Sequence, residues 1–175
     1  MTGPGDRPAP LHQFWWLHDA RWYQGVAKRF GQEAANEINA EAIRFVARRV
    51  AVWCSGGVRP DVEPPAKLFG MLRRITSTMF PDDMVSARYR DCGDGAWETE
   101  VTNHFVPRML RAARSLDGYR CVCLPLRSAW YEGLQLAVQD DRLACQIEGA
   151  PACRFRTVCG RDANGRRSDD ERETA

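Results

Sequence analysis

From Leu11 to Phe80 apolar side chains return every three or four residues, and from Val85 the period drops to two. That switch commits the chain to helices first and strands afterwards. A helix gathers the first spacing on one face, and a strand gathers the second. Leu11, Trp15, His18, Trp22, Val26 and Phe30 share one helical face, and Gly31 ends that helix as a left-handed cap. Ile38, Ala42, Phe45, Val46, Val50 and Trp53 predict a second helix over residues 33–54, stopped by Ser55-Gly56-Gly57. Beyond the prolines at 60, 64 and 65, a third helix is expected over 66–80 on Leu68, Phe69, Leu72, Ile75 and Met79.

Val85, Ala87 and Tyr89 then alternate with polar residues, Cys92-Gly93-Asp94-Gly95 makes a turn, and Trp97, Thr99 and Val101 alternate again. This is the pattern of a β-hairpin. A helix over 107–116 follows, broken by Asp117-Gly118, and Pro125 opens another that is expected to run through Val138. Residues 142–148 and 153–158 flank Gly149-Ala150-Pro151 as a closing hairpin. The order predicts an α+β fold: long N-terminal helices packed on one antiparallel sheet, with a closing C-terminal β-hairpin. We expect a single domain over 11–159 with disordered ends at 1–10 and 160–175; residues 161–175 hold no apolar residue larger than alanine.

Partners are bounded next. A net charge of +2 over 175 residues lacks the basic excess of a nucleic-acid binder. Residues 1–10 carry no apolar run of the signal-peptide kind. The most apolar long segment, 42–53, is broken by Arg44, Arg48 and Arg49, so no membrane span is expected. A cytoplasmic protein is the expectation. There, thiols stay reduced, and seven cysteines read as buried residues, metal ligands or a nucleophile rather than a disulfide framework.

A reactive thiol must ionise near neutral pH. Cys121 and Cys123 precede the helix opened by Pro125, where the positive dipole end favours a thiolate, and Arg120 and Arg127 add charge. Cys54, at a helix C-terminus, lacks that advantage. Cys145 and Cys153 flank a tight turn. Together with Cys121 and Cys123 they offer a four-thiolate zinc site, as an alternative to a catalytic role, although neither Cys-x-Cys nor Cys-x7-Cys is the usual zinc-knuckle spacing. His18 falls on an apolar stripe between Trp15 and Trp22, as a base or substrate contact in a tryptophan-lined pocket with Trp53 and Trp130, or as a core histidine. Asn36 and Asn39 extend the apolar face of the second helix and suit a carboxylate or amidine; a solvated helix end is the plainer account. His104, after the first hairpin, is a further candidate contact.

The segment Cys145-x3-Gly149-x3-Cys153-x-Phe155 resembles the ending of vinyl-4-reductase-like domains and of the related L-2-amino-thiazoline-4-carboxylic acid hydrolase family. Leu17-His18-Asp19-Ala20-Arg21-Trp22, Phe30-Gly31 and Ala35-Asn36-Glu37-Ile38-Asn39 are similar to the opening of relatives of that hydrolase. The resemblance covers about residues 11–158 and implies their α+β fold. Its members include ring-opening hydrolases and small-molecule sensor domains. Asn103-His104 departs from the pattern, standing where relatives often carry cysteine.

Two readings of different classes follow. The first is an enzyme hydrolysing or ring-opening a small cyclic or amidine-like metabolite, in a biosynthetic setting. Cys121, Cys123 or His18 would activate attack, and Trp15, Trp22, Asn36, Asn39 and His104 would hold the substrate. The second is a non-catalytic sensor or carrier of a small molecule, or a zinc-stabilised interaction module. Both leave room for a homo-oligomer.

Overall fold

The computed structural model of the chain describes residues 11–80 and 83–160. Of the expected disordered ends, 1–10 and 160–175, all but Gly160 lie outside the described residues; Gly160 N–H bonds to Ala137 O at 2.9 Å. The chain divides into two compact units, one reaching Asn39 and one starting at Ala40.

The first unit holds α1 (Leu11–Phe30) and the opening of α2 (Gln32–Ser55). Gly31 joins them at φ 92°, a left-handed conformation that a side chain would resist. Tyr23, Val26, Ala35 and Asn36 are buried, and the Tyr23 hydroxyl donates to Asn36 Oδ1 at 2.7 Å. Gln32 Nε2 donates to the same hydroxyl.

The second unit continues α2 and adds α3 (Pro65–Met79), β1 (Ser86–Gly93), β2 (Ala96–Thr102), α4 (Phe105–Ala112), α5 (Cys123–Gly133), β3 (Val138–Ala144) and β4 (Cys153–Cys159). The strands form one antiparallel sheet in the order β1-β2-β4-β3. Both expected hairpins form: β1 pairs with β2, and β3 pairs with β4. The α+β expectation holds. Among the described residues no helix is long and apolar enough to cross a membrane.

Strand parity explains the two sheet faces. On one face Arg90, Glu98, Arg156 and Asp141 lie side by side across all four strands, with Arg90 2.5 Å from Glu98. Alternating charge favours this register and marks the wet face. On the other face Tyr89, Thr99 and Phe155 form one row, and Trp97, Thr157 and Asp140 form the next. Buried Leu68, Leu72 and Ile75 of α3 and Leu126, Ala129 and Trp130 of α5 supply the apolar side of the core. Phe69 stacks on Tyr89, ring centroids 5.7 Å apart, which sets α3 against β1.

Two helix boundaries differ from expectation for one reason. α4 ends at Ala112 rather than 116, and α5 ends at Gly133 rather than 138. In each, the chain turns back through a non-glycine residue in the left-handed region, Arg114 at φ 50° and Gln135 at φ 58°. Leu136 N–H bonds to Tyr131 O and Gln135 N–H to Glu132 O, the paired bonds of a Schellman stop. Ser115 to Leu110 and Arg114 to Arg111 repeat the pattern. Without glycine at the turning position, the stop has no sequence signal. α5 also begins two residues before Pro125, at Cys123, and β3 begins at Val138, ahead of the expected 142.

Candidate functional site

Between the inner sheet face and helices α3 and α5 lies a cavity of about 50 Å³. Phe80, Val85, Val101, Leu126, Trp130 and Phe155 line it together with Thr76, Tyr89, Thr99, His104, Cys123 and Arg127, and its surface is almost wholly apolar. Two further hollows among the described residues bear comparison. One, of about 130 Å³, lies at the β1–β2 turn beside Glu63, Asp91 and Asp94. The other is a wide cleft beside Pro125 and Glu132. Both present more polar surface than the cavity beneath α5, whose wall is nearly all hydrocarbon and suits an apolar ligand.

His104 sits at the N-cap of α4, where its Nδ1 accepts the Val106 N–H at 3.3 Å. That bond assigns the ring proton to Nε2, which faces Cys123 Sγ at 3.7 Å. Burial pushes the imidazole pKa down to about 4, so the ring is neutral and serves as a donor. Tyr89 is fixed by Thr76. The Thr76 hydroxyl donates to Leu72 O at 2.8 Å and so accepts from Tyr89, 3.2 Å away. Thr99 is buried, and its hydroxyl has no hydrogen-bond partner among the described residues.

Arg127 is the least expected member. It projects from α5 onto the sheet, bonding Asp140 through Nε and Nη2 and reaching the Tyr131 hydroxyl at 2.8 Å and Thr157 Oγ1 at 3.0 Å. Its guanidinium lies over the Phe155 ring, 4.4 Å from the centroid. Burial works against its charge, but Tyr131 and Asp140 hold its pKa above the ordinary arginine value. Burial also pushes the Tyr131 hydroxyl up to about 12.

The four cysteines singled out from sequence do converge. Cys145, Cys153 and Phe155 form a buried cluster with Cys121 and Cys123 packed against it. Interactions of Cys123 with Cys121 and Cys153 push its own pKa well up and theirs down, to about 6 and about 7. Arg142 adds positive charge beside Cys121. Burial, with Cys121 alongside, pushes Cys145 up to about 11. The thiolate-prone sulfur is therefore Cys121, stabilised by its neighbours; Cys123, the first residue of α5, keeps its proton. All seven cysteines are free thiols. The donor set has zinc chemistry, but among the described residues no group of three or more His, Cys, Asp or Glu is spaced to hold a metal ion.

The other candidates stand apart from this wall. In the first unit His18 is exposed, with Nδ1 3.4 Å from Asp19, and Trp15 and Trp22 are also exposed. Asn36 is buried with its carbonyl taken by Tyr23, and Asn39 is half-buried. In the second unit Trp53 is exposed, whereas Trp130 lines the cavity and donates from Nε1 to Met79 Sδ at 3.2 Å. Sequence reasoning missed Thr99, Arg127 and Asp140. One signal was available for Arg127: it shares a helical stripe with Tyr131 and Leu134, where an arginine is out of place.

No protein-family model matches the chain, and no curated protein matches it. Among solved structures it is similar to the crystal structure of the phenol-responsive sensory domain of the transcription activator PoxR with phenol. The TM-score is 0.54 at 16% identity, over 82% of this chain and 73% of that one. At this identity the likeness is one of fold.

Proposed function

We propose that this chain is a small-molecule-binding domain of the sensory or carrier kind, which holds its ligand unchanged in the cavity beneath α5. One observation carries the proposal: a small apolar cavity between the inner sheet face and α5, with Thr99, His104 and Arg127 among its lining residues. The fold shared with a phenol-responsive sensory domain supports it as analogy.

The Cys123–His104 pair argues for binding over catalysis. A nucleophilic cysteine needs a base, yet His104 presents its N–H to the sulfur and has no proton to accept there. Its interactions with Cys121 and Cys153, together with burial, also push the Cys123 thiol well up. The volume of about 50 Å³ is below the ~150 Å³ of a cavity known to take benzene, so a ring must displace side chains to enter.

For the thiol cluster we propose a structural role without metal: Cys121 and Cys123 pack against Cys145 and Cys153 and so fasten the closing hairpin to the start of α5.

The test is to titrate phenol into the protein calorimetrically and recover it for mass spectrometry. Saturable binding with phenol returned intact is expected. Chemical conversion of the probe, or no binding by any single-ring compound, would count against the proposal.

A further inference from the structure

The apolar stripe of α1 faces outward, and its residue order indicates what covers it. Phe14, Trp15 and Trp22 are 58%, 66% and 49% exposed. Tyr23, buried against Asn36, points about 100° away from Trp22 around the helix. Residues 161–175 hold nothing apolar larger than alanine, and residues 1–10 set Met1 among glycine, proline, alanine and polar residues. Neither end has the side chains to cover a tryptophan stripe.

The stripe fits a second copy of itself. Trp15, His18, Trp22 and Gly25 follow one another at spacings of three, four and three, the seam of a paired helix. Reversed, that seam is its own complement: Trp15 stands opposite Gly25 of the second copy, and His18 stands opposite its Trp22. Facing large side chains with small ones is how such layers interdigitate. Gly25 lies in the interior of α1, where glycine weakens a helix, and a Cβ there would meet nothing within 4 Å. Packing within one chain gives no reason for the missing side chain, whereas a facing tryptophan does. Charge selects the same direction. Lys28 and Arg29 close the helix, and parallel pairing would set them beside their own copies. Antiparallel pairing sends them to opposite ends.

The area is sufficient. At ~200 Å² for a whole ring, the three aromatics leave roughly 350 Å² open in each copy. Two such helices hide roughly 700 Å² of ring, and the stems and backbone between bring this to the ~1,000 Å² of a specific interface.

We infer that α1 is a self-association surface, joining two copies of this chain antiparallel along Trp15, His18, Trp22 and Gly25. The contact is two-fold and closed, so association stops at the dimer. It stands independently of the ligand-binding reading and gives the exposed tryptophans a use that the cavity does not.

The experiment is sedimentation equilibrium on the full chain as wild type, Trp15→Glu and Gly25→Leu, with circular dichroism on each. The wild type is expected at twice its chain mass of 19.8 kDa. Trp15→Glu raises the dimer dissociation constant on the order of 30-fold or more, with the helical signal retained because the residue is exposed in the single chain. Gly25→Leu reads the direction. Leucine is the better helix former and in a parallel pair would add apolar contact at a shared seam position. In the antiparallel pair it collides with Trp15 and weakens the dimer severalfold. A tighter dimer in Gly25→Leu overturns the antiparallel register. A dimer indifferent to Trp15→Glu overturns α1 as the surface, and a monomeric wild type overturns self-association outright.

Discussion

Arg127 holds Asp140 by two parallel hydrogen bonds, Nε to Oδ2 at 2.7 Å and Nη2 to Oδ1 at 2.9 Å, with side chains only 4% and 7% exposed. Thr157 Oγ1 donates to Asp140 Oδ1 at 2.6 Å. The pair thus ties α5 to β3 and β4, fixing the helix that roofs the cavity. Breaking it strands a buried charge. Asp140→Ala is expected to cost about 3–5 kcal/mol in denaturant unfolding, whereas Arg127→Met with Asp140→Leu should cost far less than Asp140→Ala alone. Equal losses in the single and double variants would contradict a paired buried charge.

Gly133 marks where α5 meets α2. A Cβ there would stand 2.7 Å from Arg48 O and 2.8 Å from the Ala51 Cβ, and helical backbone cannot yield locally. Gly133→Ala should therefore destabilise the chain by about 1–3 kcal/mol despite alanine's better helix propensity. A thermal melt unchanged or raised in this variant would show that the helices do not touch there.

His104 makes stability depend on pH in a defined window. Its pKa is pushed from 6.5 down to about 4 in the folded chain, so between those values the unfolded chain binds more protons. The stabilisation is fully present above pH 6.5 and is lost as pH falls through about 4, amounting to about 3 kcal/mol. His104→Asn, which keeps an N-cap acceptor, should flatten the curve over that window. An imidazole NMR titration midpoint near 6.5 would contradict the buried neutral ring.

A metal-free thiol core predicts that protein purified without chelator carries well under one zinc per chain and that chelator leaves its melting temperature unmoved. About one zinc per chain, with a lower melting temperature on chelation, would instead make the four thiols a metal site.

Much of the fold was legible because it is written in periodicity. The helical stripe on Leu68, Leu72 and Ile75 and the alternation of Trp97, Thr99 and Val101 place α3 and β2 correctly. Helix ends at Arg114 and Gln135 were not legible, since a left-handed turn on a side-chain-bearing residue follows from tertiary packing. The convergence of Cys121, Cys123, Cys145 and Cys153 could be read from the hairpin geometry. Their pKa order could not, because it depends on which thiol donates to which. His18 looked like a pocket residue because the stripe between Trp15 and Trp22 is apolar, yet all three are exposed. Hydrophobic periodicity marks a face without saying what covers it.

The most direct test of the account fills the cavity. Ala87 of β1 lines it, and Ala87→Leu adds bulk there without adding a polar group. Phenol should bind the wild-type chain saturably and be recovered intact, and binding should be lost in Ala87→Leu while the fold, judged by circular dichroism, persists. Undiminished binding in the filled variant, or conversion of the probe by the wild type, would contradict a ligand-holding cavity beneath α5.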